Sequence, residues 1–133
     1  MVRRGIVESF KRYGATLKNH VWAVSAIAPD GGVVISCWGD KRLTHSKGVM
    51  RYQDSISDWS ANNPNGSKLL REHLEQAIRD SLPVHLVIAT PAAAGSTTIA
   101  DHFHERTDVV GKVVQFDGNQ FNLEFSRREG VKA

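Results

Sequence analysis

The chain has 133 residues, 41% apolar and 23% charged, with a formal charge of +3 and a pI near 9.2. That length suits one domain with a core of its own, and the mild basicity permits a polyanionic partner without demanding one. The single cysteine, Cys37, excludes an internal disulfide and fits a reducing compartment. No run approaches the roughly 18 apolar residues of a membrane span. The N-terminus MVRRGIVESFKRYG lacks the apolar region of a secretory signal, so the expected location is the cytoplasm.

Residues 2–13 read as a short amphipathic helix, with Val2, Ile6, Phe10 and Tyr13 on one side and Gly14 as its stop. Its other side carries Arg3, Arg4, Lys11 and Arg12 against Glu8, a solvated face or a phosphate-contacting arm. Residues 20–38 follow the pattern of a β-hairpin. HVWAVSAIA and VVISCW are rich in β-branched and aromatic residues, and PDGG between them is turn chemistry. Both arms are apolar on both faces, which predicts inner strands covered on each side. Cys37 is expected to be a small buried side chain.

Residues 38–66 show no sustained helix or strand period. A connection this long is functional or disordered more often than not, and its aromatic and apolar content argues against disorder. It interleaves Trp38, Tyr52 and Trp59 with Lys41, Arg42, His45, Lys47 and Arg51. Cations spaced between flat rings suit a phosphodiester backbone and stacked bases. The competing expectation is a compact loop whose aromatics turn back onto the core. Asp40, Asp54 and Asp58 lie near Lys41 and Lys47, the residue types of a metal-dependent nuclease without its usual spacing.

The turn formers Asn62 to Gly66 precede a helix near 67–81, capped by Asn65 or Ser67. Leu70, Leu74, Ala77 and Ile78 make its buried stripe; Arg71, Glu72, Glu75, Arg79 and Asp80 make a mixed, solvated face. Pro83 ends it. VHLVIAT is a buried strand with Val84, Leu86 and Ile88 on one face and Val87 and Ala89 on the other. PAAAGSTTIADHF reads as a loop or a loop with one helical turn. Gly95-Ser96-Thr97-Thr98 is no phosphate loop, because it has neither the leading glycine nor the lysine. His102 and His104 at i,i+2 would face one way on a strand and could share a metal, with Asp101 and Glu105 as further oxygen donors. No third and fourth ligand can be placed from spacing, so no metal and no cofactor is assigned. The bland reading is a polar loop.

The final hairpin joins VVGKVVQF to FNLEF through DGNQ. Val110, Val114 and Phe116 are expected on the core side against Phe121, Leu123 and Phe125. The tail 127–133 is polar and expected to fray. RTDVVGKVVQFDGNQFNLEF resembles strands of small barrels of the SH3-like or PUA-like kind, which implies a family of folds often used by nucleic-acid readers.

The fold class expected from these elements is α+β. A single domain over 1–133 would have a mainly antiparallel sheet or small partly open barrel. Two β-hairpins plus a central strand would build it, packed by an N-terminal helix and the helix near 67–81. Its core should include Val24, Ile35, Leu86, Ile88, Val114, Phe116, Leu123 and Phe125. The expected function is a small nucleic-acid-binding module, DNA-binding or RNA-binding, without catalysis. Its contacts would be Arg3, Arg4, Lys11, Arg12, Trp38, Lys41, Arg42, His45, Lys47, Arg51, Tyr52 and Trp59. A metal-dependent hydrolase or nuclease at His102 and His104, and a homodimeric interaction domain, are the alternatives.

Overall fold

A computed structural model describes residues 5–19, 22–58, 60–93 and 100–128. Among these described residues two helices and seven strands form one α+β domain: α1 (Ile6–Lys11), β1 (Ser25–Ile27), β2 (Val33–Trp38), β3 (Leu43–Ser46), β4 (Val49–Ser55), α2 (Pro64–Arg79), β5 (Val84–Pro91), β6 (Ala100–Phe116) and β7 (Gln120–Arg127), with a 3₁₀ turn at Ile56–Asp58. All seven strands lie in one sheet ordered β1-β2-β5-β6-β7-β4-β3. Every pairing is antiparallel except β2 with β5. A parallel pair needs a long crossover; here β3, β4 and α2 supply it.

The two expected hairpins form through their predicted turns. In the first, Asp30 Oδ1 accepts from the Gly32 N–H at 2.8 Å, and Gly31 takes φ +89°. In the second, Asp117 Oδ1 accepts from the N–H groups of Asn119 and Gln120 at 2.9 and 2.7 Å, and Gly118 has φ +101°. β1 differs from expectation in its place: it is an edge strand, and only β2 is flanked on both sides. The described part of the first expected helix is α1; Val2, Arg3 and Arg4 lie outside the described residues.

The largest departure is in 38–66. This stretch is not a structureless loop but a second edge of the sheet. β3 and β4 pair through the two-residue turn Lys47-Gly48, both with positive φ (50° and 79°), the geometry that matches strand twist. The alternation of Met50 and Tyr52 with Arg51 and Gln53 is a strand period. Met50 and Tyr52 are buried, Arg51 and Gln53 exposed.

Residues 100–106 are likewise strand rather than loop, so β6 runs for 17 residues. Its first half pairs with β5 and its second half with β7, with register irregularities in both. The one between Val113 and Gln115 explains why the expected core face is wrong at Val114. Val113 opposes Leu123 and Gln115 opposes Asn122, which leaves Val114 as the extra residue, 46% exposed. Val109 and Val113 take the core side instead.

One face of the sheet carries the main core. Val33, Ile35 and Cys37 of β2, Leu86 and Ile88 of β5, Met50 and Tyr52 of β4, and Phe121, Leu123 and Phe125 of β7 meet Leu70, Leu74 and Ala77 of α2. Ile78, expected in that stripe, is 47% exposed. Val24 and Phe116 pack on this core half-buried. α2 begins at Pro64, with Asn63 as its cap: Asn63 Oδ1 accepts from the Gly66 N–H at 2.9 Å. On the opposite face α1 packs Phe10 against Ala26, Val34 and Val87. The Trp38 N–H donates to the Tyr52 hydroxyl at 3.1 Å. β2 and β4 are separated by three strands in the sheet, so that bond requires strong curvature. The sheet nevertheless does not close into the barrel suggested by the final hairpin.

Candidate nucleic-acid interface

The predicted contact residues spread over the end of β2, the turn after it and the β3–β4 hairpin. Lys41, His45, Lys47 and Arg51 are exposed, while Trp38 and Arg42 are half-buried. Tyr52 is 2% exposed, its ring packed against Phe121. No face of Tyr52 is therefore open to a base. Its hydroxyl donates to Asp54 Oδ2 at 2.8 Å, and burial pushes its pKa well up. Lys11 and Arg12 are exposed on and just after α1, and Arg12 lies 3.7 Å from Glu105 of β6. Arg3, Arg4 and Trp59 lie outside the described residues.

At the start of the hairpin, Asp40, Arg42, Trp38, Tyr52 and Asp54 form one network. Arg42 Nε donates to Asp40 Oδ1 at 2.9 Å, and its NH2 donates to Asp40 Oδ2, a bidentate pair. That bond holds the Asp40 carboxyl below its ordinary range and raises Arg42. The guanidinium also lies 5.5 Å from the Trp38 ring centroid. Asp54 behaves oppositely to Asp40. Its burial raises its pKa despite hydrogen bonds from Tyr52 and the Ser55 N–H and the charge of Arg42, and the charge of Asp58 adds to the rise.

The sheet register then builds a surface that the sequence order conceals. On the face opposite α2, Arg51 is aligned with Glu124 and Glu124 with Lys112. The next row is Gln53, Asn122 and Gln115, and beyond it Ser55 faces Gln120. Arg51 Nε donates to Glu124 Oε2 at 3.3 Å. The Asn122 amide donates to Gln115 Oε1 at 2.6 Å. A charged row thus borders a row of three amides across β4, β7 and β6. Among the described residues no helix covers this part of the sheet. α1 sits on the same face, over β1, β2, β5 and residues 103–105 of β6. Where the amide row reaches the sheet edge, a cleft of about 410 Å³ opens between Gln53, Asn122, Gln120, Arg42, Asp54 and Asp58.

Set against known proteins, the chain matches no family model, no curated protein and no solved structure. Chemistry must therefore be read from the side chains alone.

The histidines expected to share a metal do stand side by side, ring centroids 6.4 Å apart. His102 is already engaged on both ring nitrogens, with Asp101 at 2.9 Å and Thr90 at 3.3 Å. Among the described residues no group of three His, Cys, Asp or Glu side chains is placed to hold a metal ion. A second network was not foreseen. His85, 2% exposed, lies between Asp30 (Nε2 to Oδ2, 2.9 Å) and Arg128 (NH2 to Nδ1, 3.3 Å), with the Tyr13 ring stacked on it at 4.9 Å. Arginine only donates, so Nδ1 accepts and the proton sits on Nε2, which donates to Asp30. This resembles a catalytic relay in its bonds, but its imidazole is buried beneath Tyr13, and it ties the β1–β2 turn, β5, the end of β7 and the end of α1 together. No sequence spacing marks it, since Asp30, His85 and Arg128 are far apart in the chain.

Proposed function

We propose that this protein is a non-catalytic module that binds single-stranded nucleic acid on the open half of its sheet. The observation that carries the reading is the register: it aligns Arg51 and Lys112 in one row and Gln53, Asn122 and Gln115 in the next. Phosphates would lie along the cations, with Lys41 and Lys47 extending the track on the hairpin and Lys11 and Arg12 on the α1 side. The amides would take base edges, as side chains carrying both donor and acceptor do. An exposed antiparallel sheet is a platform on which single strands can be spread.

The chemistry differs from stacking between aromatics. With Tyr52 inside the core and Trp38 behind Arg42, affinity comes from charge and hydrogen bonds. Binding should then be weak at high salt, falling with a slope of about −0.7 per neutralised phosphate on a single strand. The test is fluorescence anisotropy with single-stranded and duplex oligonucleotides at several salt concentrations. Expected is binding to single strands at low salt, with Lys112→Ala flattening the slope by about 0.7. No binding at low salt, or a slope indifferent to Lys112, would overturn the reading.

A further inference from the structure

We propose that the cleft at the edge of the sheet is a base-edge pocket selective for guanine; the inference rests on the nucleic-acid reading and names the base that its surface takes. Arg42 is set in position without any ligand. Asp40 holds its Nε and NH2 side-on, and Asp40 Oδ1 also accepts from the Arg42 backbone N–H at 3.0 Å. Trp38 backs the plane. The NH1 end remains, and its nearest carboxylate partner, Asp54 Oδ2, is 4.0 Å away, beyond hydrogen-bond reach. A fixed guanidinium with N–H groups left over is the donor that guanine O6 accepts from.

Acceptors line the same cleft. Asp58 is exposed and lines the cleft together with Asp54. Guanine places an oxygen acceptor next to two donors, N1–H and the N2 amino group. One edge can therefore accept from Arg42 and donate to a carboxylate. Adenine presents an amino group where Arg42 needs an acceptor. Cytosine and uracil each offer a carboxylate one nitrogen donor rather than two. A phosphate does not fit, because Asp54 and Asp58 line this cleft against the single Arg42, whose charge Asp40 already pairs. Gln53, Gln120 and Asn122 complete the wall with amides suited to the remaining ring and sugar atoms.

The experiment titrates the ¹⁵N-labelled full chain with GMP, AMP, CMP and UMP, following the amide signals of Gln53, Asp54 and Asn122. A parallel anisotropy series uses oligonucleotides that differ in one central base. GMP should saturate these shifts at about tenfold lower concentration than the others, the scale of one good base-edge pairing. Arg42→Lys and Asp58→Asn should each bring that ratio toward one, and Arg71→Ala on the outer surface of α2 should leave it unchanged. Equal response to all four nucleotides, or none at the cleft, overturns the pocket. Oligonucleotide binding without base preference sinks the pocket but keeps the platform. A guanine preference without oligonucleotide binding keeps the pocket and sinks the platform.

Discussion

Gly32 shows how tightly single positions are set. A Cβ there would stand 2.6 Å from His85 Nε2, and His85 is held by Asp30, Arg128 and Tyr13 at once. Gly32→Ala should therefore cost about 1–3 kcal/mol, as overpacking does, read as a lower urea midpoint. An unchanged midpoint would mean that the histidine can shift. Carboxyls give a second prediction at this scale, with opposite signs. Hydrogen bonds from Arg106 hold Asp108 at about 2, below its ordinary 3.8. The unfolded chain binds its proton first, so this pair's stabilisation is present above 3.8 and lost as pH falls through about 2. The pair is partly exposed, so the loss should stay under about 1 kcal/mol. Asp54 is raised by burial, so the folded state holds its proton longer and stability falls as pH climbs above the ordinary value. Melting across this range should show Asp108→Asn removing part of the acid loss. Asp54→Asn should gain on the wild type as pH rises. Parallel curves for all three proteins would refute both assignments.

Between the elements, α2 shows that a correct period does not settle which residues are buried. Leu74 is fully enclosed between α2 and the sheet, and Ile78, one turn later, is half in solvent. Leu74→Ala should cost about 2–5 kcal/mol, and Ile78→Ala about 0.5 kcal/mol or less, measured by urea unfolding of each. Equal losses would mean that the helix sits rotated from the described position. The stripe was legible because helix period is local. Its limit was not: the Ala77 side reaches the sheet, while Ile78 falls toward the β6–β7 end, where Phe116 and Gly118 leave a gap. Similarly, the β3–β4 hairpin hid behind Lys47-Gly48, whose first residue is not among the usual turn formers for positive φ.

The whole molecule is a curved sheet with one face filled by α2 and the other only half covered by α1. Its exposed half carries Arg51, but Glu124 already holds that guanidinium. Glu124→Gln should release it, tightening oligonucleotide binding at low salt and steepening the salt slope. Stability should change by no more than about 0.5 kcal/mol, since the ion pair is exposed. Anisotropy at two salt concentrations with a melting curve checks both, and unchanged binding would exclude Arg51 from the contact. Among the described residues no helix is long and apolar enough to cross a membrane.

What the chain determined by itself is what short-range physics can write: turns at Asp30-Gly31 and Asp117-Gly118, the buried alternation of Val84 to Ala89, and the amphipathic period of α2. Each depends on residues within a few positions of one another. The tertiary structure alone decided that Tyr52 turns inward, that Arg51 meets Glu124 and that Gln53, Asn122 and Gln115 stand in line. Those facts follow from strand order, register and a bulge at Val114. Strand order and the β4–β7 register depend on pairings between segments some seventy residues apart, Arg51 with Glu124 among them, and the bulge within the β6–β7 hairpin then decides which β6 residue meets Asn122. No local preference specifies such a pairing, because a one-residue slip in register moves every side chain to the other face.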